Sequence, residues 1–166
     1  MLYQKIIEKL HEKDIKYLVV GGIAVNLYGY IRATADLDIL ILLDHINTAK
    51  FVEITKELGY KPRVPVNIDD FSNASKRESW IKEKNMKVFS VYNPNNTMEH
   101  IDVLIENYID FDKAFERREV IKLDNTEINL INIDDLIKLK KVSGRDRDMI
   151  DIKALTKIKE LKNENG

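Results

Sequence analysis

The sequence predicts an α/β fold, and three observations carry that expectation. The stretch Tyr17 to Leu43, YLVVGGIAVNLYGYIRATADLDILILL, reads as strand, Gly-Gly turn, short helix, loop and second strand. Elsewhere, short apolar runs of strand type are interspersed with segments of helical periodicity. The chain has 166 residues, 44% hydrophobic and 33% charged, with a formal net charge of −1. That is enough chain to bury a sizeable core and suggests one domain spanning residues 1–166.

The elements follow in order. Residues 2–13 form an amphipathic helix, with Leu2, Ile6, Ile7 and Leu10 at helical spacing among lysines and glutamates. Lys16 to Val20 is a short buried strand, and Ile23 to Tyr28 an apolar helix that Gly29 caps. Asp36 and Asp38 open the next strand. His45 to Leu58 is a helix ended by Gly59, with Ile46, Ala49, Val52 and Leu58 on its inner face. Residues 60–75 are irregular and contain Pro62 and Pro65. KRESWIKEKN, from Lys76, is a charged helix anchored by Trp80 and Ile81. The middle region is where an acceptor substrate would be sought, though a solvated connecting helix is the plainer reading. Lys87 to Tyr92 and His100 to Ile105 are strands around a turn at Asn93 to Thr97. Phe111 to Glu116 is a short helix. Val120 to Leu123 and Ile128 to Ile131 are strands around a turn at Asp124 and Asn125. From Ile133 onward two helices are separated by Ser143-Gly144. The second is marked by Met149, Ile150, Ile152 and Leu155, and residues 160–166 fray.

Some functions are excluded by composition. With no cysteine in the chain there is no disulfide framework, thiolate metal site or cysteine nucleophile, which accords with a cytoplasmic location. The N-terminus MLYQKIIEKLHEKD has no uninterrupted apolar run and is neither a signal peptide nor a membrane span. The run Ile39 to Leu43 falls far short of the roughly 20 residues that crossing a bilayer takes. Near-zero net charge argues against a broad nucleic-acid surface and leaves room for a local basic groove.

The chemistry concentrates around the two aspartates. Side chains alternate along a strand, so Asp36 and Asp38 share a face about 6.6 Å apart while Leu37 and Ile39 turn to the core. Two carboxylates held side by side repel unless a cation or proton sits between them. The natural occupant is Mg²⁺, which takes one or two carboxylates together with substrate phosphates. Gly21 and Gly22 let backbone approach a ligand, and the helix after them offers N–H groups to phosphate; the plainer alternative is a strand-to-helix turn. Arg32 is a phosphate clamp, a partner of Asp36 or a solvated side chain. Asp102 lies between apolar neighbours in a later strand, where a buried charge needs a partner. It is therefore the candidate third acid, facing Asp36 and Asp38. His100 shares its face and reads as a surface histidine. Near the C-terminus, Arg147 and Asp151 are four apart and can pair along one helix face.

The order of apolar strand, Gly-Gly, Asp-x-Asp strand and later acid resembles the signature of the DNA polymerase β-like nucleotidyltransferase superfamily. In detail, Gly21-Gly22-Ile23-Ala24-Val25, then Gly29, Arg32, Thr34, Asp36, Leu37 and Asp38, resembles the small bacterial nucleotidyltransferases grouped with the AbiEii toxins. It departs from the Gly-Ser-x-x-x-Gly form of many antitoxin-type minimal nucleotidyltransferases. Lys140, Arg145, Asp148 and Asp151 resemble the family's later lysine, arginine and Asp-x-x-Asp pattern, so that the resemblance covers about residues 15–155. It implies a nucleotidyltransferase fold: a mixed twisted sheet flanked by helices, with the C-terminal helices packed alongside. It implies catalytic and metal-binding roles for Asp36, Asp38 and Asp102 with Mg²⁺ or Mn²⁺. It implies a nucleoside triphosphate held by Gly21, Gly22, Arg32, Thr34 and Lys140. The implied reaction moves a nucleoside monophosphate to a hydroxyl on RNA, protein or a small molecule, with a toxin or antitoxin partner as one setting. The extra helical domain of larger AbiEii-type proteins is missing. Two alternatives stand beside this: a non-catalytic nucleotide- or partner-binding module, and an antibiotic-modifying enzyme.

Overall fold

The strand-like segments are β1 (Tyr17–Val19), β2 (Leu37–Ile41), β3 (Lys61–Pro62), β4 (Val88–Asn93), β5 (Asn96–Leu104), β6 (Glu119–Leu123) and β7 (Thr126–Leu130). In a computed structural model, which describes residues 2–123 and 126–166, they join into one seven-stranded sheet of order β3-β4-β5-β2-β1-β7-β6. The pairs β2–β5 and β1–β7 are parallel and the rest antiparallel. The helices are α1 (Gln4–Glu12), α2 (Gly21–Leu27), α3 (His45–Glu57), α4 (Ala74–Lys84), α5 (Phe111–Glu116), α6 (Ile133–Ser143) and α7 (Asp146–Asn165), with a short 3-10 helix at Ile68–Ser72. This is the mixed α/β architecture expected. The expected turn at Asp124 and Asn125 lies outside the described residues. Among the described residues no helix is long and apolar enough to cross a membrane.

Alternation along the central strands decides where core and site lie. Leu37, Ile39, Ile101, Val103, Phe89 and Val91 turn to one face and are fully buried. Their cover comes from α3, the 3-10 helix and α4. Phe71 stacks on Phe89 at 4.6 Å between ring centroids, and Trp80 stacks on Phe89 at 5.5 Å. Trp80 is therefore a core residue, not the wall of an acceptor pocket. Arg77 is buried beside it, donating to the Phe71 and Leu43 carbonyls. The middle region is thus structural, because its aromatic anchor is needed to cover the sheet. In α3 the buried stripe runs through Phe51, Val52 and Ile54, and Ile46 faces solvent.

The other face of β4, β5 and β2 carries a polar row, covered by α6 and the start of α7. Two local expectations differ there. The Gly pair does not precede α2 but starts it. At the far end, α7 continues to Asn165 where fraying was expected, since Lys, Glu and Leu are good helix formers even without packing.

Candidate active site

The polar row is built by register. Ser90 on β4 pairs with Asp102 on β5, and Asp102 pairs with Asp38 on β2. Their side chains project from one face, in line across three strands. Ser90 Oγ donates to Asp102 Oδ1 at 2.6 Å, fixing one carboxylate oxygen. Asp36 lies one residue before β2 and is half-buried. Its charge, like that of Asp102, acts on Asp38. The row ends just beyond β1 at Gly21, the first residue of α2, whose φ of +64° favours glycine and where a Cβ would overlap the Asp38 carboxylate. Gly21 is thus required both by its backbone conformation and by the space Asp38 occupies.

Asp38 is held in an unfavourable place. Burial, then the charges of Asp102 and Asp36, push its carboxyl up to about 6, against the opposing pull of the Gly22 N–H and Lys140. The Gly22 N–H is therefore directed to Asp38. Gly22 also has Thr34 against it: a Cβ there would overlap the Thr34 hydroxyl and lie 3.1 Å from Arg32 Nη1. Asn26 of α2 clamps this loop, accepting from the Arg32 N–H at 3.0 Å and donating to its carbonyl at 2.9 Å.

Beside the acids the charges alternate. Arg32 grips Asp151 with both arms of its fork, Nε to Oδ1 and Nη2 to Oδ2, each at 2.8 Å. Lys140 lies between Asp151 Oδ2 at 2.8 Å and Asp148 Oδ1 at 3.1 Å. Arg145 Nε reaches Asp148 Oδ2 at 2.9 Å. Lys140, Asp148 and Asp151 are all buried. Burial alone would raise both aspartates, but bonds from Arg145 and Lys140 to Asp148, and from Arg32 and Lys140 to Asp151, hold both below the usual carboxylate range. Arg32 therefore spends its fork on a carboxylate of α7. Asp151 points inward to Arg32 and Lys140 rather than along the helix to Arg147. Asp148, Asp151 and Leu155 form the buried stripe of α7, while Met149 and Ile150 are exposed. Three cations share two carboxylates, leaving one positive charge in excess.

Acids and cations open on the same cavity of about 350 Å³, lined by Gly21, Asp38 and Asp102 on the sheet side and Lys140, Arg145 and Asp148 on the helix side. Leu104, Leu136, Leu139 and Val142 supply its apolar wall, with Tyr108 and Lys87 at its edge. The sequence reading missed Ser90, Asn26 and Lys87. A lone Ser in KVFSVY and a lone Asn in IAVNLY were the available signals, each a polar residue interrupting an apolar run.

Among the described residues no three His, Asp or Glu side chains are disposed to hold a metal ion as they stand. The chemistry of the donors nevertheless suits one: Asp38, Asp102 and Asp36 repel one another, and a hard divalent cation relieves that repulsion.

No protein-family model and no curated protein sequence matches the chain. Solved structures do. The lincosamide antibiotic adenylyltransferase LnuA, solved with lincomycin bound, aligns over 95% of this chain and 96% of its own at a TM-score of 0.61 and 19% identity. An antigenic nucleotidyltransferase-like protein from Paracoccidioides brasiliensis aligns over 96% of this chain and 74% of its own at 0.56 and 15%. ANT(2'')-Ia, in complex with adenylyl-2''-tobramycin, aligns over 98% and 94% at 0.55 and 12%. The chain has the nucleotidyltransferase fold.

Proposed function

We propose that the protein transfers a nucleoside monophosphate from a nucleoside triphosphate to a hydroxyl acceptor, and that the acceptor is a small molecule. The observation that carries this reading is the in-register pair Asp38 and Asp102, with Asp36 beside it, facing a cavity whose opposite wall has an excess of positive charge. Carboxylates are needed where a metal and an attacking hydroxyl meet; cations are needed where a triphosphate lies. A non-catalytic module would have no use for a third acid in register with the second.

Asp36, Asp38 and Asp102 would hold Mg²⁺ or Mn²⁺, which when bound neutralises charge on the triphosphate and on the attacking and leaving oxygens. The chain's own groups do the rest. Lys140 and Arg145 attract the phosphates, and the Gly21–Gly22 backbone, kept free of side chains, lets them come close. Thr34 and Arg32 hold the loop of the acids against that turn. The acceptor oxygen attacks the α-phosphorus, the bond to the bridging oxygen breaks, and pyrophosphate leaves with that electron pair. The hydroxyl proton passes to Asp102, whose second oxygen is not taken by Ser90. Positioning and electrostatics supply most of the rate.

A small acceptor is favoured by the whole-length alignment with LnuA and ANT(2'')-Ia, whose structures hold lincomycin and an adenylylated tobramycin. The kinship with AbiEii-type proteins, in which a macromolecular acceptor or a toxin–antitoxin pair would be expected, is supported by the sequence motifs alone. The test is titration calorimetry with ATP, CTP, GTP and UTP, with and without Mg²⁺, on the wild type and Asp36→Asn. The triphosphate that binds then serves, labelled, in a screen of hydroxylated antibiotics that starts with lincomycin and tobramycin. Mg²⁺-dependent binding that Asp36→Asn abolishes is the expected result. Absence of triphosphate binding, or equal binding by the variant, overturns the assignment.

A further inference from the structure

The parallel pair β2–β5 is regular at Leu37–Ile101, Asp38–Asp102 and Ile39–Val103. β5 continues back to Asn96, yet β2 begins only at Leu37. In a continued parallel ladder the His100 N–H would bond the Ala35 carbonyl. The hydroxyl of Tyr3 stands between them instead, donating to the Ala35 carbonyl at 2.5 Å and accepting from the His100 N–H at 3.1 Å. Tyr3 comes from outside the sheet, just before α1, and is 3% exposed. Even bent at the hydroxyl oxygen, an N–H···O–H···O=C bridge spans more than one N–H···O bond, so the wedge spreads the two strands at this point.

Asp36 lies between the wedged Ala35 and the first regular rung at Leu37. Its charge and the Leu37 N–H both act on the Tyr3 hydroxyl. We infer that Tyr3 is a positioning residue for the site: its hydroxyl replaces one rung of the β2–β5 ladder and so sets where Asp36 stands relative to Asp38 and Asp102. The inference rests on the nucleotidyl-transfer reading for its consequence, though not for its geometry. A phenol needed only for packing has no call for its oxygen, whereas this one commits both donor and acceptor to the two strands that carry the acids. Tyr17 is the natural control. It is also a buried phenol bonded to backbone, at the Glu127 carbonyl and the Asn129 N–H, but it bridges no strand of the acid row.

The test compares Tyr3→Phe, which keeps the ring, with Tyr17→Phe. Two quantities are read: the Asp36 side-chain carboxyl resonance by carbon-13 NMR, and the Mg²⁺ concentration at half-maximal triphosphate binding. In Tyr3→Phe the Asp36 resonance is expected to move and the Mg²⁺ midpoint to rise about 10-fold, as for loss of a group that orients a metal ligand. In Tyr17→Phe both stay at wild-type values, whatever happens to the melting temperature. An Asp36 resonance unmoved in Tyr3→Phe, or moved equally in Tyr17→Phe, overturns the inference. If the resonance moves only in Tyr3→Phe while the wild type shows no Mg²⁺-dependent triphosphate binding, the wedge stands and the nucleotidyl-transfer reading fails.

Discussion

Two charged regions face one another across the cavity, and they are built on opposite plans. On the sheet, Asp36, Asp38 and Asp102 bring like charges together, and Asp38 is pushed up to about 6 by burial and its neighbours. On the helices, Arg32, Asp151, Lys140, Asp148 and Arg145 alternate in sign, and both aspartates are held down. The first region stores an electrostatic conflict that a cation can resolve. The second resolves its own by ion pairs at 2.8 to 3.1 Å. On the proposed function, the first region is where a cation would bind, and the second fixes Lys140 and Arg145 opposite it.

That contrast can be broken most sharply at Asp38. Asp38→Asn is expected to lower transfer on the order of 10³-fold, measured as pyrophosphate release with labelled triphosphate. It is expected to raise the melting temperature at the same time, since it removes a charge the fold disfavours. A melting temperature that falls instead would make Asp38 part of the scaffold. On the helical side the expectation reverses. Asp151→Ala leaves Lys140 with Asp148 alone and takes both fork bonds from Arg32, and is expected to cost about 3–5 kcal/mol in urea unfolding. Pairing it with Arg32→Met should recover part of that loss, because the uncompensated charge goes with its partner.

The smallest effect separates the regions by pH. Asp38 has a folded pKa of about 6, above the roughly 3.9 of an unfolded aspartate. Between these values the native state binds more protons, so stability falls as pH rises through that window, by roughly 2–3 kcal/mol in all. Asp148 and Asp151 have lowered folded values. Their contribution is present above the unfolded pKa and is lost as pH falls through the acid range below it. Urea midpoints against pH should therefore lose the upper slope in Asp38→Asn and show a shallower lower slope in Asp151→Asn, where Asp148 still contributes. An unchanged profile in either variant would show that the region concerned is charged differently from this account.

Much of the first region was legible in the sequence, and little of the second. Asp-Leu-Asp before an apolar run states by alternation that both acids share a face, and Asp102 between Ile101 and Val103 states the same for β5. On the last helix Met149, Ile150, Ile152 and Leu155 were the sequence markers, but the buried stripe is Asp148, Asp151 and Leu155, because a helical aspartate is solvated unless distant cations meet it. The pairing of Asp151 with Arg147 failed because it weighed only neighbours along one helix. The real partner, Arg32, is 119 residues away. Trp80 anchors its charged helix as its apolar character suggested, and its stacking on Phe89 in the core fills the region where an acceptor was to be sought.

By itself the sequence determined the periodicities: which residues of each strand share a face, where glycine must stand, and which helices have an apolar side. These are local consequences of backbone geometry and need no knowledge of the rest of the chain. The tertiary structure alone decided the registers and the long-range partners. It set Ser90, Asp102 and Asp38 in one row, closed Arg32 on Asp151, and put the Tyr3 hydroxyl between Ala35 and His100. Those depend on how strands from distant parts of the chain come to lie side by side, which is settled by the burial of the whole core and not by any short stretch of it.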